Sequence, residues 1–253
     1  MNKIFTILYY ECKLQFGKIA TWGVLLAATA LTMVDAFPSA GNLRRLEFLT
    51  EPAYFVCRAM SIDGLVLVFG LLFLLSDRFA VDKKTGVKNL IMSEPVRKGQ
   101  YIAGKLLGGF CYTWGMLCAF LVLNTGIYAV ALPVRVSAMD CLVPLVKTIL
   151  VSGIPVSLFV GCTAVALPVF MDVRVFYLLA SVLFIVNAGT VGAAGQMPFY
   201  LITAGDLIKL VWQHPRWPFV NAGSVQANLL FLIGTGAGAC VLLLLKRRFW
   251  RAE

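Results

Sequence analysis

The sequence has little charge, and this scarcity excludes an ordinary soluble domain. Only 13% of its 253 residues are charged and 60% are hydrophobic, whereas soluble domains average about 25% charged and about 45–50% apolar residues. The apolar residues form blocks of about 20, the length that crosses a hydrocarbon layer of ~30 Å. These numbers predict a membrane protein.

Histidine is also scarce, and closely spaced cysteine pairs and a nucleotide-binding loop are absent from the sequence. His214 is the only histidine, which excludes a paired-histidine zinc site. The seven cysteines contain no CxxC pair and mostly lie in apolar runs, which favours core packing over metal binding. No Gly-x-x-x-x-Gly-Lys-Ser/Thr motif occurs, so no nucleotide is expected to bind by that route. We expect no catalytic, cofactor or metal site in this chain.

The net charge of +10 could indicate nucleic acid as a partner. The lysines and arginines, however, lie in short segments between apolar blocks and form no single basic face. Membrane lipid is therefore the expected surroundings, and nucleic acid is not an expected partner.

Six apolar blocks predict an all-α membrane protein with six transmembrane helices. The blocks are Ile19–Phe37, Ala59–Leu75, Ile102–Leu132, Leu142–Phe170, Val175–Ala194 and Asn228–Leu245. Before them, residues 1–18 place Ile4, Phe5, Leu8 and Tyr9 three and four apart, which predicts an interfacial amphipathic helix. The predicted organisation is this helix, followed by a six-span domain over residues 19–253.

The distribution of lysine and arginine predicts the orientation. If both termini are cytoplasmic, the inner segments hold about twice as many of these residues as the outer ones. We therefore expect a multi-pass protein with both termini in the cytoplasm.

Three prolines punctuate the fourth block: Pro144, Pro155 and Pro168. Because proline removes a helix hydrogen bond, this span is expected to be kinked or broken. Neighbouring helices can also tolerate such prolines in a membrane.

The longest inner loop, residues 76–101, contains the most specific pattern. Val87, Leu90 and Ile91 fall at i, i+3 and i+4, which predicts a short amphipathic helix, and Pro95 should end it. An ordinary positive loop would explain the lysines but not the sequence Ser-Glu-Pro-Val-Arg at 93–97.

This loop resembles that of type-2 ABC transporter permeases. The resemblance rests on an acidic residue after the second span, then Thr85-Gly86, Leu90, residues 93–97 and Gly104-Lys105. It implies a cytoplasmic coupling helix at Asp82–Leu90 that fits a cleft on a separate ATPase subunit. The implied interface residues are Asp82, Lys83, Thr85, Gly86, Val87, Asn89 and Leu90.

The same resemblance implies partners and cofactors outside this chain. ATP and Mg are expected in the partner ABC ATPase, and the permease is expected to pair with a second permease, as a homodimer or with a sister chain. The implied location is the cell's inner, cytoplasmic membrane.

The outer segment, residues 196–226, is too polar to span. The resemblance implies short re-entrant helices capping the path, and an interfacial loop with an aromatic belt is the other interpretation. Phe199, Tyr200 and Trp212 are candidate gate residues there. Asp63 is a further path candidate as an intramembrane acid, although a small boundary shift would place it in water beside Arg58.

The predicted function is the permease subunit of an ATP-driven exporter. The central parts of the spans are almost entirely apolar, with Asn124 and Asn187 as exceptions, which favours an amphipathic or hydrophobic substrate such as an antimicrobial peptide, lipid or drug. The alternative is a membrane protein without ATP coupling: a channel, a carrier, or a scaffold or sensor. A channel or carrier would normally place several charged groups near the midplane.

Overall fold

The computed structural model describes residues 3–37, 47–86, 96–131, 137–192 and 222–245. Within these ranges every regular element is helical. The α-helices are α1 Lys3–Phe16, α2 Ile19–Asp35, α3 Pro52–Arg58, α4 Gly64–Leu75, α5 Arg78–Lys84, α6 Lys98–Ala131, α7 Ala138–Thr148, α8 Ile154–Ala166, α9 Val173–Gly192 and α10 Ala222–Leu245. Short 3₁₀ helices lie at Glu47–Thr50 and Leu167–Val169, and π-helical turns lie at Ala59–Asp63 and Ile149–Gly153.

Four continuous helical runs in the described ranges are long and apolar enough to cross a membrane. They are Pro52–Asp82, Lys98–Ala131, Met139–Val169 and Val225–Leu245. The pair α1 and α2, bent by 63°, would make a fifth span, and α9 contributes a shorter apolar helix over Val173–Ala188. The prediction of an all-α protein with several helices of membrane-spanning length is confirmed, whereas the count of six spans stays a prediction.

Side-chain contacts show how the helices run between two ends of the bundle. Lys18, just before α2, lies 3.8 Å from Asp77, just after α4, and at the other end Asp35 pairs with Arg58 at 3.2 Å. The Lys98 ammonium donates to the carbonyl of Leu244, so α6 begins where α10 ends. We call the end with Lys18 and Asp77 the charged end, and the end with Asp35 and Arg58 the opposite end.

The corner between α1 and α2 is held by hydrogen bonds. The Thr21 hydroxyl donates to the carbonyl of Gln15 at 2.8 Å, and the Trp22 indole N–H donates to that of Phe16 at 2.9 Å. The Tyr112 hydroxyl lies 2.9 Å from the Thr21 hydroxyl and joins this corner to α6. These bonds satisfy carbonyls at the end of α1 that have no partner within the helix.

The fourth block changes its hydrogen-bond register but does not break. Pro144 lies inside α7, and Pro155 follows the π-helical turn at Ile149–Gly153. Pro168 lies in the 3₁₀ helix that ends the run. Pro155 and Pro168 therefore accompany two local changes of helix type within one continuous run, Met139–Val169, whereas Pro144 lies within the regular α-helix α7.

Glycines let α6 and α8 touch at their backbones. A Cβ on Gly161 would lie 2.6 Å from the Phe110 nitrogen, and a Cβ on Gly109 would lie 2.9 Å from the Gly161 carbonyl oxygen. Such distances are shorter than any real Cβ contact, so only glycine permits this crossing. Small residues serve this purpose at membrane helix interfaces in general.

We expect Gly161→Ala to push α6 and α8 apart and to lower the thermal unfolding midpoint of the detergent-solubilised chain. Gly126→Ala on α6 is the matched control, because a Cβ there meets nothing within 4 Å. The control should be unchanged or slightly stabilised, since alanine is favoured over glycine in helices by about 1 kcal/mol. Equal midpoints for the two variants would contradict this crossing.

Candidate functional site

Four charged side chains from three helices are buried together at the charged end. The exposed fraction is 9% for Glu11 on α1, 4% for Arg78 and 7% for Asp82 on α5, and 2% for Lys105 on α6. Charged residues are almost never buried to this extent unless they are paired. We refer to these four residues, with Tyr101, as the charge cluster.

The charges alternate in sign along the cluster. Arg78 donates from Nε and Nη2 to Oε2 of Glu11, at 3.0 and 2.6 Å. The Lys105 ammonium lies 2.7 Å from Oε1 of Glu11 and 2.6 Å from Oδ2 of Asp82. The Tyr101 hydroxyl donates to the same oxygen of Asp82. Each carboxylate therefore contacts at least one cation, and the four formal charges cancel.

Two aromatic rings enclose the Lys105 ammonium. Its nitrogen lies 5.2 Å from the ring centroid of Phe79 and 5.6 Å from that of Tyr101. The two rings meet edge to face with centroids 6.0 Å apart. Cation–π attraction of this kind strengthens when the cation is removed from water, so the rings stabilise the lysine in its buried position.

Small residues on α6 allow α1 to approach closely enough for Glu11 to reach the cluster. A Cβ on Gly104 would lie 2.7 Å from Cβ of Ile7, and one on Gly108 would lie 2.7 Å from Cβ of Glu11. The Cys12 thiol lies 3.6 Å from the Gly108 carbonyl, to which it donates. The Gly-x-x-x-Gly spacing thus places α1 against α6, with Lys105 between the two glycines.

The face that α1 turns towards the protein is not the apolar face expected for a simple amphipathic helix. Glu11 and Gln15 are its buried residues, whereas Phe5, Tyr9 and Leu14 are more than half exposed. The predicted helix is present, but Glu11 and Gln15 face the protein, Lys3 and Lys13 are exposed, and much of the apolar surface faces outward. Such an outer surface suits lipid.

Further contacts extend the cluster to α2 and α9. Lys18 lies near Asp77 and its ammonium donates to the Leu74 carbonyl at 3.4 Å. The Ser76 hydroxyl lies 3.0 Å from the hydroxyl of Tyr177 on α9. The junction between α4 and α5 is therefore fixed to several other helices.

The predicted coupling residues fall partly inside and partly outside the described ranges. Asp82 is buried in the charge cluster, so its carboxylate does not face an outer docking surface. Thr85 and Gly86 are exposed directly after α5, and Gly86 has φ of 73°, which L-residues rarely adopt. The side chain of Lys83, and all of Val87, Asn89 and Leu90, lie outside the described residues.

The candidate residues predicted for the outer side also lie partly inside and partly outside the described ranges. Asp63 is fully buried at the end of the first π-helical turn, so the interpretation that placed it in water is wrong. Phe199, Tyr200 and Trp212 lie outside the described ranges, as does the rest of residues 196–221.

Sequence reasoning missed Glu11, Arg78, Tyr101 and Lys105 as cluster members. The charge bias counts Arg78 and Lys105 as topological signals, and Lys105 also belongs to the Gly104-Lys105 part of the resemblance. Two signals were present: Arg78 and Asp82, and Tyr101 and Lys105, are each four residues apart on a helix, and Glu11 is the only acid in α1. Neither signal shows that the three segments meet.

A lateral cleft of about 200 Å³ lies between the spans. Its lining is apolar except for two threonines, Thr163 and Thr235, whose hydroxyls both donate to carbonyls of their own helices. The lining residues are Leu72, Phe159, Thr163, Leu167, Phe176, Leu179, Ala180, Leu183, Phe231 and Thr235. This cleft offers shape and apolar contact but no free hydrogen-bond donor.

Within the described ranges, no group of three or more histidine, cysteine, aspartate or glutamate side chains could hold a metal ion. Comparison of the chain with family models, curated proteins and solved structures finds no match. The interpretation of the site therefore depends on its geometry and on the sequence pattern beside it.

We expect Lys105→Met to destabilise the chain by about 3–5 kcal/mol, because it leaves two buried carboxylates with one cation. The measurement is the free energy of unfolding from denaturant titration in mixed micelles. Lys13→Met is the matched control, since Lys13 is exposed on α1, and should change stability by less than about 0.5 kcal/mol.

A double variant tests whether the loss of stability comes from the unbalanced buried charge. Adding Asp82→Asn to Lys105→Met restores neutrality, so the double variant should be more stable than Lys105→Met alone. Additive losses would show that the two side chains do not interact.

Proposed function

We propose that this chain is the membrane-spanning permease subunit of an ATP-driven ABC transporter. The observation that carries the proposal is the position of the charge cluster directly beside the segment that resembles a coupling helix. Asp82 begins that segment, and its carboxylate contacts Lys105 at the start of α6. A displacement of the segment would therefore be passed to a long membrane helix.

The cluster suits the transmission of force because it joins three separate parts of the chain. Arg78 and Asp82 on α5 hold Glu11 on α1 and Lys105 on α6. Breaking a buried ion pair is costly, so these elements are expected to move together. Thr85 and Gly86 would then form the exposed edge of a rigid unit, and the ATPase would displace this unit when it moves.

In this proposal the charged end faces the cytoplasm and both termini are cytoplasmic in the cell membrane. With α1 at the interface, α2 provides the first span and α9 the fifth, which gives six. The 20 residues of α9 extend about 30 Å, the thickness of the hydrocarbon layer. The excess of lysine and arginine at this end supports the orientation.

The apolar lateral cleft supports an amphipathic or hydrophobic substrate. Its two threonine hydroxyls are occupied by their own backbones, so it would not recognise a sugar or a metal ion. The proposed cargo is a lipid, a hydrophobic drug or an antimicrobial peptide. Stimulation of the complex's ATPase only by small hydrophilic solutes would contradict this choice.

The proposed complex contains two kinds of partner. A separate ABC ATPase subunit binds ATP and Mg and docks at residues 82–90, and a second permease, either another copy or a sister chain, completes the pathway. A self-contained channel, carrier or scaffold is the alternative function, and it requires no ATPase.

Purification of the tagged chain in mild detergent distinguishes the permease function from the alternative function. We expect an ATPase with a phosphate-loop motif to remain bound in stoichiometric amount, identified by mass spectrometry, and its hydrolysis to depend on this chain. A second permease in the same sample would indicate a heterodimer. A chain that is isolated without an ATPase in several detergents would favour the alternative.

We expect Gly86→Val to uncouple the partner ATPase from transport, because a β-branched residue is strained at φ of 73° and would redirect the following segment. Gly86→Asn should retain most coupling, since asparagine tolerates this conformation. Gly99→Val is the control: Gly99 is exposed and a Cβ there meets nothing within 4 Å. The readout is ATPase activity of the reconstituted complex with and without the permease, and normal coupling in Gly86→Val would contradict the docking role.

A further inference from the structure

Asp63 is a buried acid far from the charge cluster. It ends the π-helical turn Ala59–Asp63 and has an exposed fraction of 0%. Arg58, which pairs with Asp35 at the opposite end, precedes it by five residues, or about 7 Å along a helix axis. Asp63 therefore lies inside the bundle, beneath the last ion pair at this end.

Neither carboxyl oxygen of Asp63 has a hydrogen-bond partner among the described residues. Thr32 on α2 is beside it, but the Thr32 hydroxyl donates its only hydrogen to the Ala28 carbonyl at 3.0 Å. The Arg58 guanidinium is engaged by Asp35, through the carboxylate at 3.2 Å and the backbone oxygen at 2.8 Å. The Thr32 hydroxyl and the Arg58 Nη2 are thus engaged elsewhere, and the Arg58 Nε makes no hydrogen bond to Asp63.

The elements packed around Asp63 supply few other charges. The described charged residues at this end are Asp35 on α2, Glu51 and Arg58 at the two ends of α3, and Asp140 and Lys147 on α7, which packs against α3. Cys57 and Ser61 lie on its own run, and Ser61 donates to the Cys57 carbonyl. The helix α4 has no charged residue, and neither α6 after Lys105 nor α9 after Arg174 has one. Their buried polar residues towards this end include Asn124 and Asn187, which do not titrate.

We propose that Asp63 is a proton-binding site, and that the buried form is the neutral carboxylic acid. An unpaired carboxylate in an apolar interior is costly, and binding a proton removes the charge. The acid form also complements its neighbour: since Thr32 has already donated its hydrogen, its oxygen can only accept, and the Asp63 O–H can donate to it.

A metal or alkali cation fits this position poorly. A hard cation such as calcium takes six to eight oxygen ligands, whereas the described surroundings offer this carboxyl and one threonine hydroxyl. Among the described residues there is no group of three or more histidine, cysteine, aspartate or glutamate side chains that could hold a metal ion. The proton is the ligand that one carboxyl and one acceptor oxygen can hold.

Because Asp63 binds a proton, the conformation of this end of the bundle should depend on pH. Ionised Asp63 requires water or a cation, and both become accessible only if the Asp35–Arg58 pair parts from the helices beneath it. Raising the pH should therefore favour an opened conformation at this end, with one proton released per chain. This linkage does not depend on an ATPase partner, so it can be tested apart from the proposed transport function.

The test is infrared difference spectroscopy of the full chain in lipid nanodiscs at neutral pH. The wild type minus Asp63→Asn spectrum should contain the carbonyl stretch of one protonated carboxylic acid. The Asp140→Asn variant is the matched control and should retain that band, because Asp140 is exposed on α7 and its replacement leaves the Asp35–Arg58 pair intact. A difference spectrum that contains only carboxylate bands would show Asp63 ionised and would overturn the proposal.

A chemical test on the unmutated chain covers the case in which Asp63→Asn does not fold. Dicyclohexylcarbodiimide adds to protonated carboxyl groups within lipid, and peptide mapping locates the adduct. We expect the adduct on Asp63, with labelling that declines as pH rises, and none on Asp35. An unmodified Asp63 across the whole pH range would refute the site.

Discussion

Mutual neutralisation of four buried charges is the constraint on which the charged end depends. Glu11, Arg78, Asp82 and Lys105 come from segments far apart in the sequence, and none of them could remain buried without the others. Their pairing fixes the position of α1 and the direction in which α5 follows α4. It also fixes the position of the first turns of α6. In structural terms, a polar assembly organises one end of a bundle whose interior is mostly apolar.

Close backbone approach is the second requirement, and the two requirements are linked. The acid on α1 reaches Lys105 only because Gly104 and Gly108 leave space for Ile7 and Glu11. The crossing of α6 and α8 at Gly109 and Gly161 involves the very next residue of the same helix. One long helix therefore uses adjacent glycines to hold a polar contact on one side and an apolar contact on another.

The coarse fold could be predicted from the sequence because span length and apolarity are local properties. The blocks at Ala59–Leu75 and Ile102–Leu132 correspond to runs in the structure. The charge cluster could not be predicted, since it depends on which distant segments meet, and the charge bias treats Arg78 and Lys105 only as topological signals. Burial of Asp63 was equally uncertain, because its environment depends on helix boundaries that a sequence leaves open by several residues.

The position of Glu11 in the sequence, well before Arg78 and Lys105, has a consequence for biosynthesis. The first helix is made long before Arg78 and Lys105, the cations that neutralise its acid. Until the third long apolar segment has entered the membrane, α1 must remain where water can solvate the carboxylate. Assembly of this end is thus ordered in time: α1 is synthesised before α5 and α6, but it reaches its final position only after both of them are in place.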